Sequence, residues 1–165
     1  MNKNSPSDIV ESLVGKAKEA QNIFEKYNQK QVDEVVTAVA WALCKPSTNE
    51  LISNLAVNST GLGDVEDKIL KNRRKTLGLL RDLKGVKTVG VINEFKEKGI
   101  IEIAKPVGIV GAITPSTNPA ATPVNNVINA LKGRNAIIVS PSPAGSKVFK
   151  QLLEFINIEL EKIKA

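Results

Sequence analysis

Histidine is absent from this 165-residue chain, and cysteine occurs once, at Cys44. The lack of histidine excludes Ser-His-Asp and Cys-His catalysis and His-based zinc sites within these residues. A single cysteine excludes an internal disulfide and a cysteine-based metal cluster, so we expect no metal site. Any chemistry that these residues carry out alone must use carboxylates, lysines, hydroxyls or backbone donors.

Aromatic residues and long apolar runs are also scarce. Four Phe, one Tyr and one Trp do not indicate the aromatic platforms of single-strand nucleic-acid binders. The apolar runs 109–113 and 136–139 have the length of strands, and no apolar run approaches the roughly 20 residues that span a bilayer. The first eight residues lack the apolar stretch of a signal peptide. We therefore expect a cytoplasmic protein without a membrane partner.

A basic segment supplies much of the formal net charge of +6, which could favour nucleic acid or an anionic cofactor. Asp64 is expected to cap this segment as a helix that ends before Gly85. Apolar residues recur through it at helical spacing, so a solvated helix face is the favoured interpretation and a nucleic-acid partner is ranked last. The basic residues are Lys68, Lys71, Arg73, Arg74, Lys75 and Arg81, and the apolar members are Ile69, Leu70, Leu77, Leu80 and Leu83.

The rest of the first half is also helical in pattern. Ser5 to Asp8 combines an N-cap, a proline in the first turn and an acid at N3, which predicts that a helix begins there. A second apolar-periodic run should end at Lys45-Pro46, because the residue before proline disfavours helix. Ser47 to Glu50 has the capping-box pattern and predicts a third helix that has Ser47 as its N-cap and ends near Gly61.

After Gly85 the apolar pattern becomes that of strands. Segments 86–92 and 100–103 predict a hairpin around a charged turn at 93–99, and 107–113 predicts a third strand. The next segment predicts a helix with a stripe that packs on the sheet and with Gly133 at the C′ position. The stripe consists of Val124, Val127, Ile128 and Leu131.

Strands 107–113 and 136–139, joined by this helix, predict a parallel βαβ unit. The expected class is therefore α/β, with a helical region over 1–85 and a hairpin plus the first βαβ unit of a Rossmann-like parallel sheet over 86–165. Strand 136–139 would lack a neighbour on one edge, and an uncovered apolar edge promotes aggregation. We expect this sheet to be truncated or completed by another chain.

Two polar turns follow the parallel strands, at the end of a sheet where ligands usually bind. Thr117 or Asn118 could cap the next helix. Alternatively, the Asn118 amide and helix-terminus N–H groups could stabilise an oxyanion. Thr122-Pro123 offers a second helix start, in which case 118–121 would be an irregular bridge.

The second turn is Ser140-Pro-Ser-Pro143. Its two hydroxyls could contact ribose or phosphate oxygens, or it could be an ordinary Ser-Pro turn before a helix. No GxGxxG motif occurs, and the glycines of the segment 108–111 are better explained by close packing within a strand. Cys44 lies on an apolar helix and is predicted to be a buried structural thiol.

The amino-acid sequence of these segments resembles that of the CoA-acylating aldehyde dehydrogenases. The matching segments are Pro106–Pro119, Leu131–Pro141 and Arg74–Ile92, and the resemblance extends over 47–147. Members of this family act on acetaldehyde, propionaldehyde and related short aldehydes, and the third segment is associated with members acting on sulfoacetaldehyde. The resemblance implies that these residues are the N-terminal portion of such an enzyme.

The resemblance also implies a mechanism and its participants. A cysteine in a separate catalytic domain attacks the aldehyde, hydride passes to NAD or NADP, and CoA takes the acyl group. A hairpin supports oligomerisation, so a homo-oligomer or pairing with the missing half is expected. The family's nucleophilic cysteine lies beyond this chain and Cys44 cannot take its place, so the chain alone should be inactive.

Carried over position by position, the resemblance makes Asn118 the candidate oxyanion donor. It assigns coenzyme contacts to Ile113, Thr114, Pro115, Ser116, Thr117, Ser140, Pro141 and Ser142. Ser140 stands where hydrolytic members have a ribose-binding lysine, and Ser142 where many acylating members have histidine, so the choice between NAD and NADP stays open. A non-catalytic module that associates with a full-length homologue is the alternative function.

Overall fold

The computed structural model describes residues 5–165, which form an α/β arrangement of the predicted class. Four helices come first, then an antiparallel hairpin, then a βαβ unit and a final helix. One-turn 3-10 helices lie at Lys96–Lys98 and Pro143–Gly145. The elements are α1 Pro6–Phe24, α2 Gln29–Cys44, α3 Pro46–Thr60, α4 Val65–Leu83, β1 Gly90–Phe95, β2 Ile100–Ala104, β3 Ile109–Thr114, α5 Ala121–Lys132, β4 Ala136–Pro141 and α6 Ser146–Lys162.

Most helix boundaries follow the sequence signals. Ser5 and Asp8 form the predicted capping box, Asp64 caps α4, and Gly61 ends α3 in the left-handed conformation. The predicted start of α3 is wrong by two residues and the Ser47 capping box is not formed, because the N-cap is Lys45 and the helix begins at Pro46. Proline suits the first helical position, where its missing N–H needs no partner.

The hairpin lies further along the chain than its apolar pattern predicts. β1 begins at Gly90, and residues 93–95 continue the strand and pair with β2 instead of forming the turn. The Asn93 side chain donates a hydrogen bond of 2.6 Å to the Glu102 carboxylate across the pair. Apolar pairs also occur, with Val91 opposite Ile103 and Phe95 opposite Ile100. Because both strands are largely exposed, polar residues such as Asn93 can continue the strand, and the apolar pattern therefore misplaces the turn.

The βαβ unit places β3 and β4 side by side in parallel, with Ile113 opposite Ser140 and Thr114 opposite Pro141. Ser140 and Pro141 therefore belong to the strand and not to the following turn. Within residues 5–165 the sheet has two strands, so β3 and β4 each keep one edge without a strand partner. As predicted, α5 packs its apolar stripe inward, with Val124 and Ile128 fully buried.

One apolar core joins the early helices to the βαβ unit. It contains residues of α2, α3, α5 and α6, among them the fully buried Leu43, Ile52, Ile128 and Leu152. The first half of α1 contributes little to this core, because Ile9 and Leu13 are exposed. The division of the chain between residues 85 and 86 stays a prediction.

The turn between α5 and β4 differs from the predicted glycine C′ cap. Gly133 is the cap residue itself with φ −84°, and the left-handed residue is Arg134 with φ 58°. Gly133 is required for space: an added Cβ would lie 2.7 Å from the Asn135 side-chain nitrogen. That amide is fixed, since it donates to the Ala130 carbonyl and its oxygen accepts from the Val107 and Gly108 N–H groups.

Gly133→Ala should therefore lower the free energy of unfolding by about 1–3 kcal/mol, because the Asn135 amide must move and its hydrogen bonds weaken. Urea denaturation of both proteins measures this change. Gly78→Ala is the matched control: Gly78 is within α4, an added Cβ meets no atom within 4 Å, and stability should rise by about 0.5–1 kcal/mol. Equal effects of the two substitutions would contradict the steric role of Gly133.

Close packing does not explain the glycines that precede and occupy β3. Gly108 adopts φ 111°, a conformation that residues with a Cβ rarely adopt, and it lies just before the strand. A Cβ added at Gly111 would meet no described atom within 4 Å. The close-packing interpretation is therefore wrong within the described residues. Across residues 5–165, no helix is both long enough and apolar enough to cross a membrane.

Candidate functional site

The two polar turns predicted to carry chemistry meet at the carboxyl ends of β3 and β4. The Ser142 N–H donates a hydrogen bond of 3.0 Å to the Thr114 carbonyl, which joins the two turns directly. Gly145 lies between them, and an added Cβ there would lie 3.0 Å from the Ser142 hydroxyl oxygen and 3.1 Å from the Pro119 Cβ. The segment Thr114–Pro119, called here the 114–119 turn, is thus packed against the start of α6.

The 114–119 turn leads into α5 through an irregular bridge. The helix begins at Ala121 with Ala120 as its N-cap, and no side chain bonds to its first N–H groups. The capping interpretations of Thr117, Asn118 and Thr122 are therefore wrong. An irregular bridge is present, but it spans 118–120 and not the predicted 118–121, because α5 begins at Ala121. Pro123 falls in the first turn of the helix, where its missing N–H leaves no intrahelical bond unmade. Asn118 is half-buried, and its amide is not used to start the helix.

The second turn has a structural role of its own. The Ser142 hydroxyl accepts a hydrogen bond of 3.2 Å from the Gly145 N–H and caps the short 3-10 helix before α6. This confirms the Ser-Pro turn interpretation for Ser142, whose O–H can still donate. Ser140 is exposed at the end of β4. Contact of either hydroxyl with ribose or phosphate stays a prediction.

Thr114 has a buried hydroxyl at the junction of the two turns. The residue is 2% exposed, and among residues 5–165 its hydroxyl oxygen has no hydrogen-bond partner. A buried polar group without a partner costs about 1–3 kcal/mol and calls for an explanation, such as a ligand or an ordered water. Its neighbour Ile113 is 89% exposed. The remaining predicted contact residues comprise the exposed Pro115 and Thr117 and the half-buried Ser116 and Pro141.

The fully buried residues of α4 are polar, which its sequence pattern does not predict, while Leu80 and Leu83 pack partly buried against the core. Lys68, Asn72 and Thr76 are its buried residues, spaced by four, whereas the apolar Leu70 and Leu77 are exposed. Arg73, Arg74 and Lys75 are exposed as predicted, but a solvated position is wrong for Lys68. No local signal could have revealed this face, because polar residues at intervals of four ordinarily mark the solvent side of a helix.

Each of these three residues joins α4 to another element. The Lys68 ammonium donates a hydrogen bond of 3.2 Å to the Thr117 carbonyl in the 114–119 turn. The Asn72 amide donates to the Asn49 side chain of α3 at 3.0 Å. The Thr76 hydroxyl donates to the Asn125 side chain of α5 at 3.3 Å. Helix α4 thus connects α3 to the turn and to the helix that follows it.

The aldehyde dehydrogenase family model matches residues 3–158 of this sequence. The chain belongs to the aldehyde dehydrogenase family. It is 53% identical over 156 residues to the acylating sulfoacetaldehyde dehydrogenase of Cupriavidus necator, a match that covers 94% of this chain and 32% of that protein. The chain thus spans about a third of the length of this curated relative.

Solved aldehyde dehydrogenase structures agree with this assignment. An acetylating aldehyde dehydrogenase from Geobacillus thermoglucosidasius is similar with a TM-score of 0.87 and 38% identity, over 93% of this chain and 34% of that chain. A Rhodopseudomonas palustris propionaldehyde dehydrogenase, solved with bound CoA and an acylated cysteine, has a TM-score of 0.80 and 30% identity, over 94% of this chain and 35% of that one. The resemblance to the CoA-acylating members is therefore confirmed.

In this aldehyde dehydrogenase chain Cys44 is buried at the end of α2, as predicted for a structural thiol. Burial raises the pKa of Cys44 to about 11, and the nearby Arg73 and Thr76 oppose this only in part. Because the thiolate is the nucleophile, a raised pKa and burial both disfavour reaction at Cys44.

Two further features concern the charged residues of the described chain. Burial and the neighbouring charges of Lys68 and Lys75 lower the pKa of Lys71, although Asp67 acts in the opposite direction. No group of three or more His, Cys, Asp or Glu side chains that could hold a metal ion occurs in the part of the chain that the structure describes.

Proposed function

We propose that this chain is the N-terminal portion of a CoA-acylating aldehyde dehydrogenase that oxidises a short aldehyde to its acyl-CoA with NAD or NADP. The observation that carries the proposal is the joining of the two polar turns at the carboxyl ends of β3 and β4, in a chain that matches the family over residues 3–158. Nothing in the comparisons favours an interaction module or a nucleic-acid binder.

Asn118 is proposed as the oxyanion donor of the complete enzyme. Attack on an aldehyde carbonyl turns its oxygen into an alkoxide, and a fixed amide N–H lowers the energy of that developing charge. Because the Asn118 amide does not cap α5, it is available for this role. Its position on an irregular bridge, half-buried, allows it to face a substrate while the surrounding turn stays fixed.

The turn residues fit a dinucleotide, whose ribose and phosphate groups need hydroxyl and backbone donors. Thr114 has a buried hydroxyl without a partner among the described residues, and Ser142 can donate its O–H. We assign coenzyme binding to residues 113–117 and 140–142. When bound, the nicotinamide accepts a hydride and so takes the aldehyde carbon to the acyl level of oxidation.

Residues outside this chain must supply the nucleophile under this proposal. Cys44 is the only cysteine of the 165 residues, and it is buried with a raised pKa. We therefore infer that the chain alone does not turn over, and that the complete enzyme combines it with a catalytic portion. We propose that the complete enzyme is a cytoplasmic homo-oligomer with aldehyde and CoA as its substrates.

Thr114→Val tests the coenzyme assignment in the 165-residue chain. Valine has nearly the same shape but no hydroxyl, so binding of NADH or NADPH should weaken by about tenfold if the hydroxyl bonds to the coenzyme. Titration followed by coenzyme fluorescence measures the dissociation constant. Stability should not fall, because the hydroxyl has no partner to lose among the described residues.

The matched control is Thr37→Val, since Thr37 is an exposed residue of α2 far from the turns in sequence. Its coenzyme affinity should equal that of the unchanged chain. Equal affinity of Thr114→Val and the unchanged chain, or no saturable coenzyme binding at all, would contradict the assignment.

A further inference from the structure

We propose that Lys68 is a positioning residue, which sets the orientation of Asn118 by fixing the peptide group between Thr117 and Asn118. Lys68 lies 49 residues earlier in the chain than Thr117, on a different element. The effect of Lys68 that we expect on catalysis rests on the proposed function of Asn118. The effect that we expect on the conformation of the turn does not.

The Lys68 side chain is almost completely buried. The residue is 4% exposed, and its ammonium donates a hydrogen bond of 3.2 Å to the Thr117 carbonyl. Lysine is almost never fully buried unless its charge has a partner. A bond from a charged donor is also stronger than one between neutral groups, so this contact restrains the turn more than an ordinary hydrogen bond would.

Lys68 contacts the peptide group that joins Thr117 to Asn118. The Thr117 carbonyl and the Asn118 N–H belong to one planar unit, which also contains the Asn118 Cα. A donor that fixes the carbonyl oxygen therefore fixes the plane from which the Asn118 side chain departs. The turn has no regular hydrogen-bond ladder of its own that could do this, because it lies between β3 and the first residue of α5.

The helix that carries Lys68 is itself held in place by its neighbours. One turn further along α4, Asn72 is buried and donates to Asn49 at 3.0 Å and to Ser53 at 3.2 Å, both on α3. On the other side Gly63 adopts φ 78°, and an added Cβ would lie 3.3 Å from the Lys68 Cε. Gly63 therefore leaves the space that the Lys68 stem occupies, and with the residue only 4% exposed, its ammonium has little freedom to leave the Thr117 carbonyl.

NMR of the 165-residue chain tests the effect of Lys68 on the turn. In Lys68→Met, an apolar side chain of similar length replaces the ammonium, and we expect the backbone amide order parameters of Thr117 and Asn118 to fall, because the Thr117 carbonyl loses its charged donor. The order parameters of α3 should not change. Lys68→Arg, which retains a charged donor, should restore much of the order. Lys75→Met removes an exposed charge from the same helix and should leave all of these order parameters unchanged.

The unchanged chain provides a second measurement, which decides the matter should Lys68→Met fail to fold. The ammonium protons of Lys68 should exchange with water at least about tenfold more slowly than those of exposed Lys75, because they are buried and hydrogen-bonded. Equal exchange at the two ammonium groups would overturn the proposal. Unchanged order parameters of Thr117 and Asn118 in a folded Lys68→Met would overturn it as well.

The effect of Lys68 on catalysis is measured in a complemented enzyme. This enzyme is formed by co-expressing the 165-residue chain with the remaining two thirds of the Cupriavidus necator relative. Lys68→Met should lower kcat by about 10- to 100-fold with little change in KM, because a misplaced donor acts on the transition state. A purely structural lysine would lower the amount of folded enzyme instead, and kcat per active site would stay the same. An inactive complemented enzyme would count against the proposed function, while the NMR result would still decide the position of Lys68.

Discussion

Asn118→Ala in the complemented enzyme should lower kcat for aldehyde oxidation by about 100- to 1,000-fold, the usual cost of removing one oxyanion donor. The loss follows from the charge that appears on the aldehyde oxygen only as the reaction proceeds. Because the donor stabilises the transition state more than the bound aldehyde, KM should change little. Initial rates of NADH formation at several aldehyde concentrations separate the two constants.

Asn129→Ala is the matched control for this substitution. Asn129 is an exposed asparagine near the end of α5, away from the 114–119 turn along the same helix. Its removal should leave kcat within about twofold of the unchanged enzyme, as expected of a surface change without a special contact. If Asn118→Ala leaves kcat unchanged, or if kcat falls equally in both variants, Asn118 is not the oxyanion donor.

Ile128→Ala should lower the free energy of unfolding of the chain by about 2–5 kcal/mol. Ile128 is 0% exposed, and it lies in the core that α5 shares with α2, α3 and α6. Removing three carbon atoms there loses their burial and leaves a cavity that the neighbouring helices can fill only in part. Since whole domains are stable by only about 5–15 kcal/mol, this single change should shift the urea midpoint strongly.

Ile158→Ala makes the same chemical change at a helical position that is 48% exposed, on α6. It should alter stability by less than about 0.5 kcal/mol, since little burial is lost and alanine favours helix. Similar losses in the two variants would show that the βαβ unit does not rest on the core described above.

The prediction from sequence succeeded where local chemistry decides the structure. Ser5 with Asp8, Asp64 and Gly61 act through neighbours within four residues, and each has the predicted role. The stripe containing Val124 and Ile128 was also recognised, because a buried helix face must be apolar when it packs on a sheet.

Prediction failed where distant contacts decide the structure. Lys68 and Asn72 are buried because residues of the 114–119 turn and of α3 accept their hydrogen bonds, and no local pattern names those partners. Gly133 was expected to supply a left-handed cap, but the position is set by the fixed amide of Asn135. The hairpin lies further along the chain because the strands are exposed, so that the polar Asn93 can continue β1 and bond to Glu102 instead of starting the turn.

The candidate site followed the same division. The sequence placed both turns at strand ends, and the parallel register of β3 and β4 brings them together as expected. It could not decide between a capping and a free Asn118, because that choice depends on where α5 begins. The roles of Asn118 and of the coenzyme contacts remain predictions.

The most direct test of the proposed function is acyl-CoA formation by the 165-residue chain and the remaining two thirds of the Cupriavidus necator relative, mixed and separate. With a short aldehyde, CoA and NAD or NADP, we expect the 165-residue chain alone to form no product and the portion of the relative alone to form none. Together they should form acyl-CoA and reduced coenzyme in equal amounts, followed by mass spectrometry and by absorbance. Turnover by the 165-residue chain alone, or equal turnover by the portion of the relative without it, would contradict the proposed function.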